Sequence, residues 1–169
     1  MKRILLLCSF SFFFSHLLAQ YSNCDCCTME HNEFNYWVGE WEVRDSIGTL
    51  LGTSTITKSL DNCLIEEHWK GTSGSNGKSM NYYSSSDSLW HQVWIDNNGK
   101  ELTLTGKGEE DVMIMQSEIL SGEDGDYRNQ ILWIQRDAFT VEQYWFLIDM
   151  EGTRLQQLFF GIYSHPAKD

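Results

Sequence analysis

From Trp41 onward no stretch of the chain repeats apolar residues at the helical period, and turn-forming residues interrupt it every few positions. Between those turns lie runs rich in β-branched and aromatic residues, near 41-45, 51-60, 63-70, 78-84, 89-96, 100-107, 111-120, 127-135, 139-148 and 153-163. Every connection is short, so each run can pair antiparallel with its sequence neighbour without a crossover. A meander of about ten strands tends to curl and close, because closure removes the unpaired edges. The expected fold is therefore all-β, a single antiparallel up-and-down barrel, with a two-sheet sandwich as the alternative.

The turn chemistry sharpens this reading. Asn97-Asn98-Gly99, between Trp90 to Asp96 and Glu101 to Gly106, predicts a hairpin with a type I′ turn. Ser46-Ile47-Gly48, Ser84 to Ser88, Ser121 to Asp126 and Asp149 to Gly152 read as further turns, and Gly71 to Gly77 as a longer flexible loop. With 169 residues, 23 of them aromatic, and a single proline at Pro166, the chain has the material for one packed domain and no linker or repeat that would divide it.

The N-terminus reads differently. Lys2 and Arg3 precede an apolar run, Ile4 to Phe14, broken by Ser9 and Ser11, and Leu17-Leu18-Ala19 supplies a cleavage end. The run is too short for a membrane anchor, and the residues before Cys24 do not suit lipidation. Residues 1-20 are thus expected to be a signal peptide, 21-33 a cysteine-containing N-terminal segment, and 34-165 the barrel domain. Export to the periplasm or the exterior follows.

Removal of Lys2 and Arg3 leaves 10 basic residues against 24 acidic ones, a formal charge of −14. Such a field repels nucleic acid and anionic membrane surfaces, and neither is expected as a partner. Cys24, Cys26, Cys27 and Cys63 remain, an even number in a compartment where disulfides persist. Adjacent Cys26 and Cys27 would bridge each other only with strain. A disulfide from Cys63 to one of Cys24, Cys26 or Cys27 is expected, against the alternative of a soft-metal site made by Cys24, Cys26, Cys27 and His31.

A resemblance covers nearly all of the mature chain. Phe34 to Trp41, with Gly39-x-Trp41 at the entry to the first strand as in lipocalin-like barrels, is followed by Asp61-Asn62-Cys63, Glu67-His68-Trp69 and Ser79 to Tyr83. Trp90 to Asp96, Gln143-Tyr144-Trp145 and Gly161-Ile162-Tyr163 complete the pattern. Together these runs resemble family 1579 of the bacterial domains of unknown function, which are exported proteins. The resemblance implies a calycin-like barrel with a short helical turn before its first strand, and carries no activity with it. The chain departs from that pattern at Gln130, Leu155 and Phe160, where arginine, tryptophan and aspartate are usual. Joint loss of the arginine and aspartate fits the removal of a charge pair from a lumen.

Four strands carry a polar residue and, two positions later, an aromatic one: Glu67 and Trp69, Asn81 and Tyr83, Gln92 and Trp94, Gln143 and Trp145. Residues two apart share a strand face. With Ser79 and Trp90 on the same faces, they would line a lumen suited to a small amphipathic or aromatic molecule, with no cofactor required. The competing readings are a filled core and an enzyme that uses Glu67. Glu66, His68 and His91 fall on the opposite faces, and no nucleophile elbow or His-Glu-x-x-His is present. His165, the one candidate for the haem ligand that some calycin barrels carry near the C-terminus, lies beyond the last strand, poorly placed to point inward.

Overall fold

The computed structural model describes residues 24–166, so the expected signal peptide lies outside the described residues. A short helix, α1 (Met29–Asn32), and a 3-10 turn (Asn35–Trp37) lead into eleven strands. These are β1 (Gly39–Arg44), β2 (Leu50–Ser59), β3 (Leu64–Gly71), β4 (Asn76–Ser84), β5 (Leu89–Asp96), β6 (Glu101–Glu109) and β7 (Val112–Gln116). They continue with β8 (Leu120–Gly122), β9 (Gly125–Asp137), β10 (Thr140–Ile148) and β11 (Arg154–Ser164). All but β8 form one closed antiparallel sheet: β7 pairs with β9, β9 with β10, β10 with β11, and β11 returns to β1. The expected ten-stranded barrel is the observed architecture, with β8 as a small addition on the start of β9.

Alternation in the sequence sets which side chains enter. On β2, Thr53, Thr55 and Thr57 are exposed while Gly52, Ser54 and Ile56 are buried. Threonine suits the solvated outer pleat by its branching and hydroxyl, and small or apolar residues suit a curved interior. One end of the barrel is plugged by the segment before β1. Phe34 and Trp37 are fully buried, stacked on each other at 4.8 Å, and Phe34 also meets Trp133 at 5.2 Å and Trp90 at 5.8 Å. Gly39, at φ +154°, makes the turn into β1, and Trp41 then returns its indole N–H to the Trp37 carbonyl at 2.9 Å.

Two disulfides hold this plug. Cys26–Cys63 ties the N-terminal segment to the residue preceding β3, as one of the three expected pairings, and Cys24–Cys27 closes a tight loop beside it. The thiolates that the alternative metal site needs are therefore consumed.

Three local expectations are corrected. In the β5–β6 hairpin only Gly99 has positive φ, so the connection is a three-residue loop rather than a type I′ turn. Asp96 explains the preference: its carboxylate accepts the N–H groups of Asn98 at 2.8 Å and Lys100 at 2.9 Å, which holds Asn97 and Asn98 in the ordinary negative-φ region. Asp45 and Asp149 organise the β1–β2 and β10–β11 hairpins in the same way.

The Gly71 to Gly77 loop is shorter than expected, because Gly71 ends β3 and Asn76 and Gly77 begin β4. The glycine at 77 serves packing, since a Cβ there would lie 2.8 Å from Trp94 Cε2. The expected strand 111-120 is also broken. The Asn129 N–H donates to the Ser117 side chain at 2.9 Å instead of a backbone carbonyl, while Arg128 takes the Ser117 carbonyl at 2.8 Å, and the ladder resumes only at β8.

Candidate functional site

Inward-facing residues stack in layers from the plugged end to the open one. Nearest the plug lie Ile56, Ile65, Tyr83, Trp90, Met113 and Val141, packed as apolar core, with Trp133 and Tyr163 belonging to the core and also reaching the cavity above it. The filled-core reading therefore holds for this half. Beyond it opens a cavity of about 860 Å³, whose walls include Trp69, Trp94, Trp145, Phe159, Leu102 and Leu147, and whose mouth carries Ser73, Ser75, Asp96, Lys100 and Glu101. Between core and cavity lies a polar layer of Glu67, Gln92, Asn129 and Gln143.

That layer is held by a chain of hydrogen bonds across β2, β3, β4 and β5. Gln92 donates to Asn81 Oδ1 at 2.6 Å, and Asn81 donates to Ser79 Oγ at 2.9 Å and to the Ile65 carbonyl at 3.1 Å. Ser79 and Ser54 donate in turn to the two carboxylate oxygens of Glu67, at 3.3 and 2.8 Å. Across the lumen the Tyr163 hydroxyl donates to Gln143, and the Trp145 indole donates to Asn129 at 2.8 Å. These bonds satisfy groups that would be costly to bury alone, and they lock side chains on neighbouring strands into one surface. Two buried indole N–H groups have no partner among the described residues: that of Trp37, within the plug, and that of Trp133, which lines the cavity.

Glu67 is the electrostatic centre of the layer. It is 6 % exposed, and burial pushes its carboxyl up to about 7, against the opposing effect of the Ser54 and Ser79 hydroxyls. The phenol of Tyr163 is raised well above its ordinary value by burial and, secondarily, by the charge of Glu67.

Of the ten residues expected to line the lumen, Glu67, Trp69, Gln92, Trp94, Gln143 and Trp145 do so. Ser79 and Asn81 are buried beneath them as hydrogen-bonding support. Tyr83 and Trp90 face inward but do not line the cavity. Strands β4 and β5 run in opposite directions, which puts the end of one and the start of the other at the plug. There Trp90 donates to Glu33 at 3.0 Å and Tyr83 meets the His31 ring edge-on.

Sequence reasoning missed Ser54, Asn129, Phe159 and Tyr163. Each lies at the inward period of its strand, but only Asn129 has the polar-then-aromatic look, and its aromatic, Trp133, is four positions away.

Other titratable candidates lie outside the lumen. His68 is exposed, His91 pairs with Asp87 at 2.9 Å and stacks on Tyr82, and His165 stacks on Trp41 at 4.2 Å with Nδ1 3.0 Å from the Glu40 carbonyl. Gln130 and Phe160 also point outward, since Asn129, Ile131 and Phe159 hold the inward positions beside them. Phe160 instead packs on Tyr144 at 4.7 Å. A charge pair at 130 and 160 would thus sit on the outer face, which corrects the expectation that it belonged to the lumen.

Among the described residues no helix is long and apolar enough to cross a membrane. Neither the protein-family models nor the curated proteins compared with this chain give a match.

Proposed function

We propose that this chain is an exported barrel that binds a small amphipathic or aromatic molecule in its lumen, as a member of the exported bacterial family it resembles. The observation that carries the reading is the half-filled barrel: a plug of core residues at one end, and at the other a cavity of about 860 Å³ walled by Trp69, Trp94, Trp145 and Phe159. That size falls within the range of small-molecule sites, and an apolar wall with a few placed polar groups is their usual composition. The ordered layer of Glu67, Gln92 and Gln143 supplies the polar anchor, and the unpartnered Trp133 N–H supports a ligand or water that brings an acceptor. Two disulfides and the charged, apolar N-terminus support export.

A second reading, an enzyme with Glu67 as general acid or base, draws support from its pKa of about 7. Each of its oxygens accepts one serine hydroxyl, and the polar groups around it are amides and a phenol held protonated, which supply no nucleophile or partner acid among the described residues. Binding is the stronger reading.

Titration of the mature protein with fatty acids, aromatic amines, flavins and phenolics, followed by tryptophan emission, tests it. At least one class should give a saturable shift, because a ligand in the lumen meets several indoles at once. A flat response across the panel refutes the proposal.

A further inference from the structure

The charges around the cavity are strongly one-sided. Its charged lining residues are Glu67 at the inner end and Asp96, Lys100 and Glu101 at the mouth. Among the described residues Lys100 is the one basic side chain in that lining, and none reaches the inner end. The groups that meet Glu67 are neutral: the hydroxyls of Ser54 from β2 and Ser79 from β4 donate to it, and the Tyr163 phenol from β11 is near enough to feel its charge, while Gln92 from β5 and Gln143 from β10 line the same cavity as uncharged amides. A carboxylate buried without a counter-charge is expensive, and it either takes up a proton or is completed by a partner of opposite charge.

The walls point to the same partner. Trp69, Trp94, Trp145 and Phe159 surround the space above Glu67. The indole N–H of Trp145 is engaged by Asn129 at 2.8 Å, so that side chain has spent its polar edge. Aromatic faces carry negative quadrupole density and attract cations, most strongly where water is excluded. An anionic head group, by contrast, would meet Glu67 with no arginine or lysine beside it. The protein's net negative charge adds a field that draws cations toward the mouth.

Resting on the lumen-binding reading above, we propose that the ligand is an organic cation: an amine or quaternary ammonium compound with a flat or aliphatic body, its charged end paired with Glu67 and its body held between Trp69, Trp94 and Trp145. Bound this way, the cation favours the ionised carboxylate. Near neutral pH, where Glu67 is partly protonated, binding therefore expels a proton from it to the buffer.

Three probes sharing one flat body separate this inference from its premise: 2-(1-naphthyl)ethylamine, 2-(1-naphthyl)ethanol and 1-naphthylacetate, titrated into the mature protein by calorimetry near pH 8. The amine should bind at least about ten-fold more tightly than the alcohol, and the carboxylate more weakly than either. In Glu67→Gln the amine and alcohol should come within about three-fold of each other. If that variant does not fold, the wild type decides alone. Near pH 7, amine binding should release a fraction of a proton, read from the dependence of the measured heat on buffer ionisation enthalpy, and alcohol binding should release none.

Alcohol or carboxylate binding as tight as amine binding overturns the inference and leaves the lumen reading standing. So does a preference for the amine that survives in Glu67→Gln, amine binding without proton release, or failure of the amine to bind. No response from these probes or from the broader panel overturns both.

Discussion

Replacing Glu67 with glutamine should make the protein more stable at alkaline pH and leave it nearly unchanged at acid pH. In the folded barrel the carboxyl rises from its ordinary 4.5 to about 7 because burial penalises the charged form. Each pKa unit is worth about 1.4 kcal/mol, so ionising Glu67 in place costs about 3 kcal/mol. The sign follows from proton counting. Between pH 4.5 and about 7 the folded chain holds a proton that the unfolded chain has released, and unfolding free energy falls as pH rises through that window. The contribution of protonated Glu67 is complete below the window and gone above it.

Glutamine mimics the protonated form and does not titrate. Ser54 and Ser79 can rotate their hydroxyls to donate to its oxygen or accept from its amide. Asp45 and Asp96, lowered chiefly by the N–H groups of Thr49 and Lys100, act in the opposite sense. They are common to both proteins and cancel in the difference. Urea unfolding near pH 4, 5.5, 7 and 8.5, read by tryptophan emission with disulfides intact, should show a gap that opens in favour of Glu67→Gln to about 3 kcal/mol. A gap that stays constant with pH, or opens in favour of the wild type, refutes the electrostatic account of Glu67.

Three further outcomes are expected. Trp94→Ala should weaken binding of a lumen probe by about 1 to 3 kcal/mol in fluorescence titration, whereas His91→Ala, on the outer face, should leave it unchanged. Peptide mapping without reductant should recover Cys26 joined to Cys63 and Cys24 joined to Cys27; removing the first pair closes no loop of separation 37 and should cost about 4 kcal/mol in urea unfolding, the second no more than about 2. Gly77→Ala should cost about 1 to 3 kcal/mol and disturb the near-ultraviolet circular dichroism, because the added methyl occupies the space of the Trp94 ring.

How the chain became legible varies by element. The barrel could be read because a closed meander leaves a strong local trace: alternation such as Thr53, Thr55 and Thr57 against Ser54 and Ile56, and short turns at fixed distances. The same alternation identified Glu67, Gln92 and Gln143 as inward, since period two follows from the pleat whatever the neighbours are. It failed where a side chain replaced the backbone as partner. Ser117 broke an expected strand through its hydroxyl, and Asp96 changed a turn type through its carboxylate.

Glycine was the other source of error. In the run Gly71 to Gly77 composition alone reads as flexibility, yet Gly77 is ordered in a strand because an indole from the next strand lies over it.

By itself, then, the sequence determined the fold class, the inward faces and the cysteine that anchors the N-terminal segment, because each depends on local period or on residue chemistry. Only the tertiary structure decided how far along the barrel the filling reaches. Phe34 and Trp37, distant in sequence from most of the walls they fill, occupy one end and convert Tyr83 and Trp90 from lining into core. The tertiary structure also decided that Glu67 would face a cavity with only neutral partners beside it, since that depends on which residues five different strands bring to one level. A period of two says which face a residue takes; the depth at which strands meet is set by register and closure, which no single strand contains.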